Sequence, residues 1–280
     1  MRAGDHSAQP RPGGGGRLGA VIDERLARAL HVQTLHHAKL VPEHEPHVLF
    51  QASTIGALLE GAYDGDVTFA ELAEHGDLGL GTLNALDGEM VALDGRFHRA
   101  DIDGRAAEID PEAMTPFAVV VRFAPTVELS LDSPLDQAAL LAALERALPA
   151  DTAACALRVD GDFELVRARS VPRQHPPYKP LTEVVAEQHV FELHDVSGTL
   201  VGFRFPEYSG AVEVSGFHLH FITDDRRRGG HVLDCRARSV VARVDPSTDL
   251  HLELPPGVDL SAPYLEGGID AAVRRVERRG

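Results

Sequence analysis

Val214–Asp234 reads VSGFHLHFITDDRRRGGHVLD, and the rest of the chain is organised around it. Phe217–Ile222 has the apolar, aromatic and β-branched composition of a strand, in which side chains alternate between faces. His218 and His220 therefore share one face, and Leu219 takes the other. The polar segment Thr223–Gly230 reads as a hairpin loop, so the next strand starts at His231 and runs back beside the first. That return brings three imidazoles towards one point, and three neutral imidazoles suit Zn²⁺ or a similar divalent metal with a coordination position left open. Spacing alone leaves a second reading open, a hairpin whose histidines are solvated or hydrogen-bonded.

Composition bounds what such a hairpin can belong to. The 280 residues carry 43 acidic against 27 basic side chains, net −16, which opposes binding to phosphate backbones and excludes nucleic acid as an expected partner. The two cysteines, Cys155 and Cys235, have no metal or redox spacing. No apolar stretch is long enough to span a bilayer, so no membrane partner is expected. The start of the chain, MRAGDHSAQPRPGGGGRLG, lacks the apolar segment of a secretory signal, which makes the cytoplasm the expected compartment. Lys39 and Lys179 are the only lysines, leaving few candidates for Schiff-base chemistry.

Outward from the hairpin, the pattern predicts a mixed α/β (α+β) chain in three parts. Residues 1–40 form a disordered leader with an appended helix over Gly19–Leu40, residues 41–170 a mixed-sheet domain, and residues 171–280 a β-rich, barrel-like domain carrying the metal site. In the second part, Val48–Gln51 reads as a strand, and Ser53 or Thr54 caps a helix through Leu59. Thr68 with Glu71 makes a capping box for a second helix ending at Gly76. Glu89–Leu93 and Arg96–Arg99 form a hairpin around Asp94–Gly95, and Phe117–Phe123 is a continuous apolar strand. The Gly79-Leu80-Gly81 stretch lacks the strand–loop–helix setting of a dinucleotide loop. Asp136–Leu148 is a helix capped by Ser133 or Asp132, and Cys155–Val159 with Phe163–Val166 form a hairpin about Asp160–Gly161. Arg167–Leu181, with four prolines, is extended and marks the junction. Beyond it come a helix over Leu181–Glu187, strands over Gln188–Leu193, Ser197–Phe205, Ala211–Val214 and Ser239–Val244, and an alternating strand Leu250–Leu254 with His251 and Glu253 facing solvent. Ile269–Gly280 reads as a short amphipathic helix or tail.

Five blocks, STIGALLEGAYDGD (Ser53–Asp66), HGDLGLGTLNALDGE (His75–Glu89), RARSVPRQ (Arg167–Gln174), GFHLHFITDDR (Gly216–Arg226) and GGHVLD (Gly229–Asp234), come in one order. In that combination, from about His47 onward, the chain resembles the α-acetolactate decarboxylase family. The resemblance implies decarboxylation of 2-acetolactate to acetoin and CO₂ by a zinc enzyme, a homodimer, whose three metal histidines match His218, His220 and His231. It also implies an active-site glutamate at Glu89, an arginine at Arg169, a glutamate near the C-terminus at Glu277, and Thr82 as a further pocket residue.

The chemistry of the substrate suits these residue types. Acetolactate is a β-keto acid with a hydroxyl beside its ketone, so two neighbouring oxygens can chelate one ion. A Lewis acid on that carbonyl stabilises the enediolate left when CO₂ departs. Arg169 can pair with the substrate carboxylate or with the enediolate, and a buried Glu89 with a raised pKa can return a proton. Proton delivery stays open at this point between Glu89, Arg169 and Glu277. Without the resemblance, Glu89 reads as an exposed strand residue, Arg169 as a surface charge, and Glu277 as half of a solvated ion pair. The rival functions are another three-histidine metalloenzyme, a hydrolase or oxygenase, and a catalytically silent binding protein on the same fold. Arg226-Arg227-Arg228 departs from the less basic, aromatic-containing stretch of relatives, and bordering the site it would alter substrate access or attract anions.

Overall fold

The computed structural model describes residues 22–35, 40, 44–254, 272–273 and 276. Its strands, in chain order, are β1 (His31–Leu35), β2 (Val48–Ala52), β3 (Val67–Thr68), β4 (Leu78–Thr82), β5 (Glu89–Leu93), β6 (Arg96–Ala100), β7 (Ala106–Glu108), β8 (Met114–Thr115), β9 (Phe117–Val121), β10 (Val127–Leu131), β11 (Leu135–Asp136), β12 (Ala154–Ser170), β13 (His189–Phe205), β14 (Gly216–Thr223), β15 (Gly229–Ser247) and β16 (Asp249–Glu253). The α-helices are α1 (Glu24–Ala29), α2 (Ile55–Leu59), α3 (Phe69–His75), α4 (Gln137–Ala147) and α5 (Leu181–Val184). The fold is α+β and dominated by strands. Among the described residues, no helix is long and apolar enough to cross a membrane.

Two sheets carry the architecture. The first has eight strands in the order β1-β16-β2-β9-β4-β5-β6-β7, and the second runs β10-β15-β12-β13-β14 with β11 also on β15. The second closes on itself where β14 pairs with β15 through His220↔His231, Phe221↔Gly230 and Ile222↔Gly229. The barrel-like expectation thus corresponds to a sheet whose seam is three residue pairs long. Sheet membership is not collinear with the chain, since β12 precedes residue 171 yet lies in the second sheet, and β16 lies in the first.

Alternation along the strands sorts the side chains into cores. Leu80, Val91 and Val119 of the first sheet share one apolar cluster with Val201, Phe203 and Ile222 of the second, so the sheets pack face to face through it. On the far side of the first sheet, Met90, Ala92 and Val120 meet Phe69 and Leu72 of α3. On the far side of the second, Leu219, Phe221 and Phe163 meet Leu140 and Leu144 of α4. His218 and His220, alternating with Leu219 and Phe221, therefore face the first sheet.

Several local readings stand. Thr54 caps α2 by accepting from Ala57 N at 3.1 Å, Thr68 and Glu71 form the capping box of α3, and Asp94–Gly95 turns β5 into β6 with both residues at positive φ. Others are corrected. The helix expected over Gly19–Leu40 is α1 alone in the described part, and His31–Leu35 is a strand because it completes the first sheet beside β16. Asp136 itself caps α4, accepting from Ala139 N at 2.8 Å, in place of Ser133 or Asp132. Asp160–Gly161 does not reverse the chain, since β12 is one 17-residue strand paired along its length to both β13 and β15. At about 3.3 Å per residue it spans roughly 55 Å, long enough to coil around a small barrel. Gly161, at φ +149°, lets it bend where a Cβ would lie 2.3 Å from Ser239 O. For the same reason Gln188–Leu193 and Ser197–Phe205 merge into β13, and Ser239–Val244 into β15. Residues 211–214 are irregular. Glu253 is 1% exposed, not solvent-facing, because its face of β16 is covered on the side of Asp66 and of Glu71 in α3.

Candidate active site

Strand register assembles the site before any side chain is considered. His220 in β14 stands opposite His231 in β15, and His231 stands opposite Arg169 in β12, so three chemistry-bearing residues fall in one row across the seam. His218 lies two residues along β14 on the same face. In the first sheet, Thr82 of β4 is paired with Glu89 of β5. The two groups meet in one pocket whose polar wall is Thr82, Glu89, Arg169, His218, His220 and His231. Ile55, Leu58, Leu86, Phe117, Val171, Leu181 and Val276 form its apolar wall.

The histidines are buried and close. Each offers a ring nitrogen, and these atoms lie within 4.8 Å of one another. Their ring centroids are 5.1 to 5.3 Å apart. His220 Nδ1 donates to Met90 O at 2.8 Å, since a carbonyl can only accept, and this fixes the tautomer with Nε2 unprotonated. Burial, and then the charges of His218 and His231, hold the His220 pKa well below its ordinary value, which favours the neutral ring, the form able to bind a metal. His220 Nε2 and His231 Nδ1 are 3.3 Å apart. Two donors at about 2.0–2.1 Å from a tetrahedral ion are separated by roughly 3.3 Å, so this pair fits one divalent metal.

A buried ion pair lies beside this cluster. Arg169 Nη1 donates to Glu89 Oε1 at 3.2 Å, and both side chains are buried. The other carboxylate oxygen, Glu89 Oε2, is 3.6 Å from His220 Nε2. Thr82 spends its hydroxyl proton on Gly88 O at 2.8 Å, bracing the turn that delivers Glu89. That turn is shaped by Ala85 and Leu86, both non-glycine residues at positive φ, with φ 60° and 54°. It is held by Ala85 N to Tyr63 O at 2.8 Å and by Gln174 N to Ala85 O at 2.7 Å. Strain of this kind persists only where the surroundings over-determine it, and here it aims Leu86 into the pocket.

Six of the seven residues singled out in the sequence thus share a pocket. The seventh, Glu277, lies outside the described residues, although Val276 lines the pocket. The Arg226–Arg228 run does not line it. Arg228 instead donates to Gly104 O and Asp103 O, Arg226 pairs with Asp94, and the loop is stapled to the turn before β7. Sequence reasoning missed the apolar wall, whose members come from six separate segments with no shared period. It also missed Glu213, which is 1% exposed and has its Oε1 at 3.6 Å from His218 Nδ1. The available signal was a single acid inside the apolar run Ala211–Val214.

Comparison with known proteins agrees with this geometry. The family described as Alpha-acetolactate decarboxylase matches residues 49–265. The alpha-acetolactate decarboxylase of Methylococcus capsulatus is 50% identical over 212 residues, covering 76% of this chain and 82% of that protein. The Klebsiella aerogenes protein of the same name is 42% identical over 236 residues, covering 84% and 91%. Among solved structures, the crystal structure of alpha-acetolactate decarboxylase from Bacillus subtilis strain 168 superimposes with TM-score 0.78 at 33% identity, covering 83% of this chain and 100% of that one. By sequence, by fold and by the match along most of its length, the chain belongs to the alpha-acetolactate decarboxylase family.

Proposed function

We propose that this protein decarboxylates 2-acetolactate to acetoin and CO₂, with His218, His220 and His231 holding a divalent metal. The observation that carries this reading is the convergence of three buried imidazoles and the Glu89–Arg169 pair on one pocket. Zinc is the metal that a set of three imidazoles without a carboxylate suits best. When bound there, it supplies Lewis-acid polarisation of the ketone β to the departing carboxylate. Arg169 presents its planar fork of donors to the substrate's carboxylate. As the bond to CO₂ breaks, its electron pair moves into the ketone and leaves an enediolate. Glu89, a carboxylate while paired with Arg169, takes up one proton from solvent as the guanidinium turns to the substrate and delivers it to make the new C–H bond, because a carboxyl exchanges its proton whereas a guanidinium keeps its own. Glu277, one residue beyond Val276, is proposed as a second carboxylate of the site. The apolar wall takes the substrate's methyl groups and excludes water. A homodimer located in the cytoplasm completes the reading.

Purified protein given racemic acetolactate, with and without prior chelation, tests it by acetoin and CO₂ release. Chelator-sensitive release is expected, elemental analysis should return zinc, and a His218→Ala variant should lose both metal and activity. Release that survives chelation and the variant would refute the metal assignment. No release at all would leave a different three-histidine enzyme or a silent binding protein. Sedimentation equilibrium checks the dimer.

A further inference from the structure

We infer that Glu213 is a positioning residue that sets the tautomer of His218 and thereby the metal affinity of the site. The inference rests on the reading of His218, His220 and His231 as ligands and extends it to a residue on neither strand of the hairpin. Glu213 sits in the irregular segment before β14, and its main chain is pinned on several sides. Ile55 N donates to Val212 O at 3.2 Å, Gly56 N to Ala211 O at 2.9 Å, and Gln51 Nε2 to Val212 O at 2.7 Å. Ser209 Oγ donates to Glu213 O at 3.1 Å.

The side chain so placed is 1% exposed. Burying a carboxylate costs several kcal/mol unless its charge is met, so an acid retained at such a depth needs a partner. Val214 N donates to Glu213 Oε1 at 2.8 Å, and His218 Nδ1 lies 3.6 Å from that same oxygen. A negative oxygen facing Nδ1 favours the tautomer protonated there, and the lone pair then resides on Nε2. His220 is fixed in the same sense by Met90 O. Two of the three rings thus have their outer nitrogen turned to an acceptor, one hydrogen-bonded to a carbonyl of the first sheet and one facing a carboxylate at 3.6 Å. Such partners raise the basicity of the ligating nitrogen and fix the ring's orientation, and losing one typically costs roughly 10–100-fold in metal affinity.

The test measures zinc affinity of the full chain by competition with a chromophoric chelator at one pH, alongside a thermal melt of each metal-free protein. Glu213→Gln keeps an acceptor for Nδ1 but loses the charge, and should weaken zinc about tenfold, with Glu213→Met about a hundredfold weaker. Glu213→Asp should recover part of the loss. Ser209→Ala loosens the same segment without touching the carboxylate and should leave affinity unchanged. Glu213→Gln binding zinc within about threefold of the parent would overturn the inference, as would an equal loss in Ser209→Ala. Glu213→Gln carries the decision if the methionine variant does not fold. A parent protein that binds no zinc in a His218-dependent manner would instead sink the ligand reading, and this inference with it.

Discussion

Replacing Arg169 with methionine separates what the buried ion pair does for the fold from what it does for the reaction. Arg169 is 4% exposed and Glu89 is 7% exposed. Removing one member of such a pair strands the charge of the other, at a typical cost of about 3–5 kcal/mol. Glu89 Oε2 lies 3.6 Å from His220 Nε2, but that nitrogen is unprotonated and gives the charge no donor, so the middle of this range, about 4 kcal/mol, is expected. For a chain of 280 residues, the range of about 3–5 kcal/mol corresponds to a fall in Tm of roughly 5–9 °C. Adding Glu89→Met removes the stranded charge and fills similar volume, so the double variant should regain most of the loss and give a favourable coupling of about 2 kcal/mol. Activity should behave differently, falling in both single variants and not returning in the double. The assay is a thermal and denaturant melt of all four proteins at one fixed metal concentration, with acetoin release measured on the same samples. A single variant that loses less than about 1 kcal/mol, or a double variant no more stable than Arg169→Met, would refute the view that the two charges depend on each other.

Three further outcomes follow from the structure. Burial, reinforced by Asp66 and Glu71, raises the Glu253 carboxyl to about 7 from its ordinary 4.5. Because the folded pKa is the higher one, this group favours the fold fully below about 4.5, and the contribution is lost as pH rises through about 7. Glu253→Gln should therefore flatten stability between pH 5 and 8 in denaturant melts and be the more stable form at pH 8, and an unchanged pH profile would count against the burial argument. Gly81→Ala places a Cβ 2.4 Å from Phe117 O, a backbone atom that cannot give way, and should cost at least about 2 kcal/mol, read as a lowered Tm. Asp136→Ala removes the α4 cap and should cost about 1 kcal/mol in a denaturant melt while acetoin release is unaffected, because α4 packs on the far side of the second sheet.

What the sequence discloses depends on how local its cause is. The capping box at Thr68 and Glu71, the Asp94–Gly95 turn and the shared face of His218 and His220 each arise within a few residues, and each is legible. The meeting of His231 with Arg169 is not, because it depends on a register between strands 62 residues apart. The Asp160–Gly161 pair misleads for a related reason. An Asp-Gly dipeptide favours a reversal in isolation, but partners on both sides of β12 hold the strand extended through it. Glu253 fails in the same way, since alternation along Leu250–Leu254 cannot reveal that the face it points to is covered on the α3 side. Glu89 and Arg169 became candidates through family blocks, and the pocket that unites them is a tertiary event. The apolar wall, drawn from α2, the Leu86 turn, β9, Val171, α5 and Val276, leaves no trace in any one segment.

The site draws its three histidines from one sheet and its glutamate from the other, with the His220–Met90 hydrogen bond crossing between them. That arrangement has an evolutionary reading. A lineage can retune the turn 83–88, and so the acid it presents, without disturbing the ladder that spaces the imidazoles, and the reverse also holds. Arg169 is the exception, since it is rooted in the imidazole-bearing sheet but engages the acid of the other. It is therefore the position at which drift in either half is felt by both, and the one where compensating changes should come in pairs.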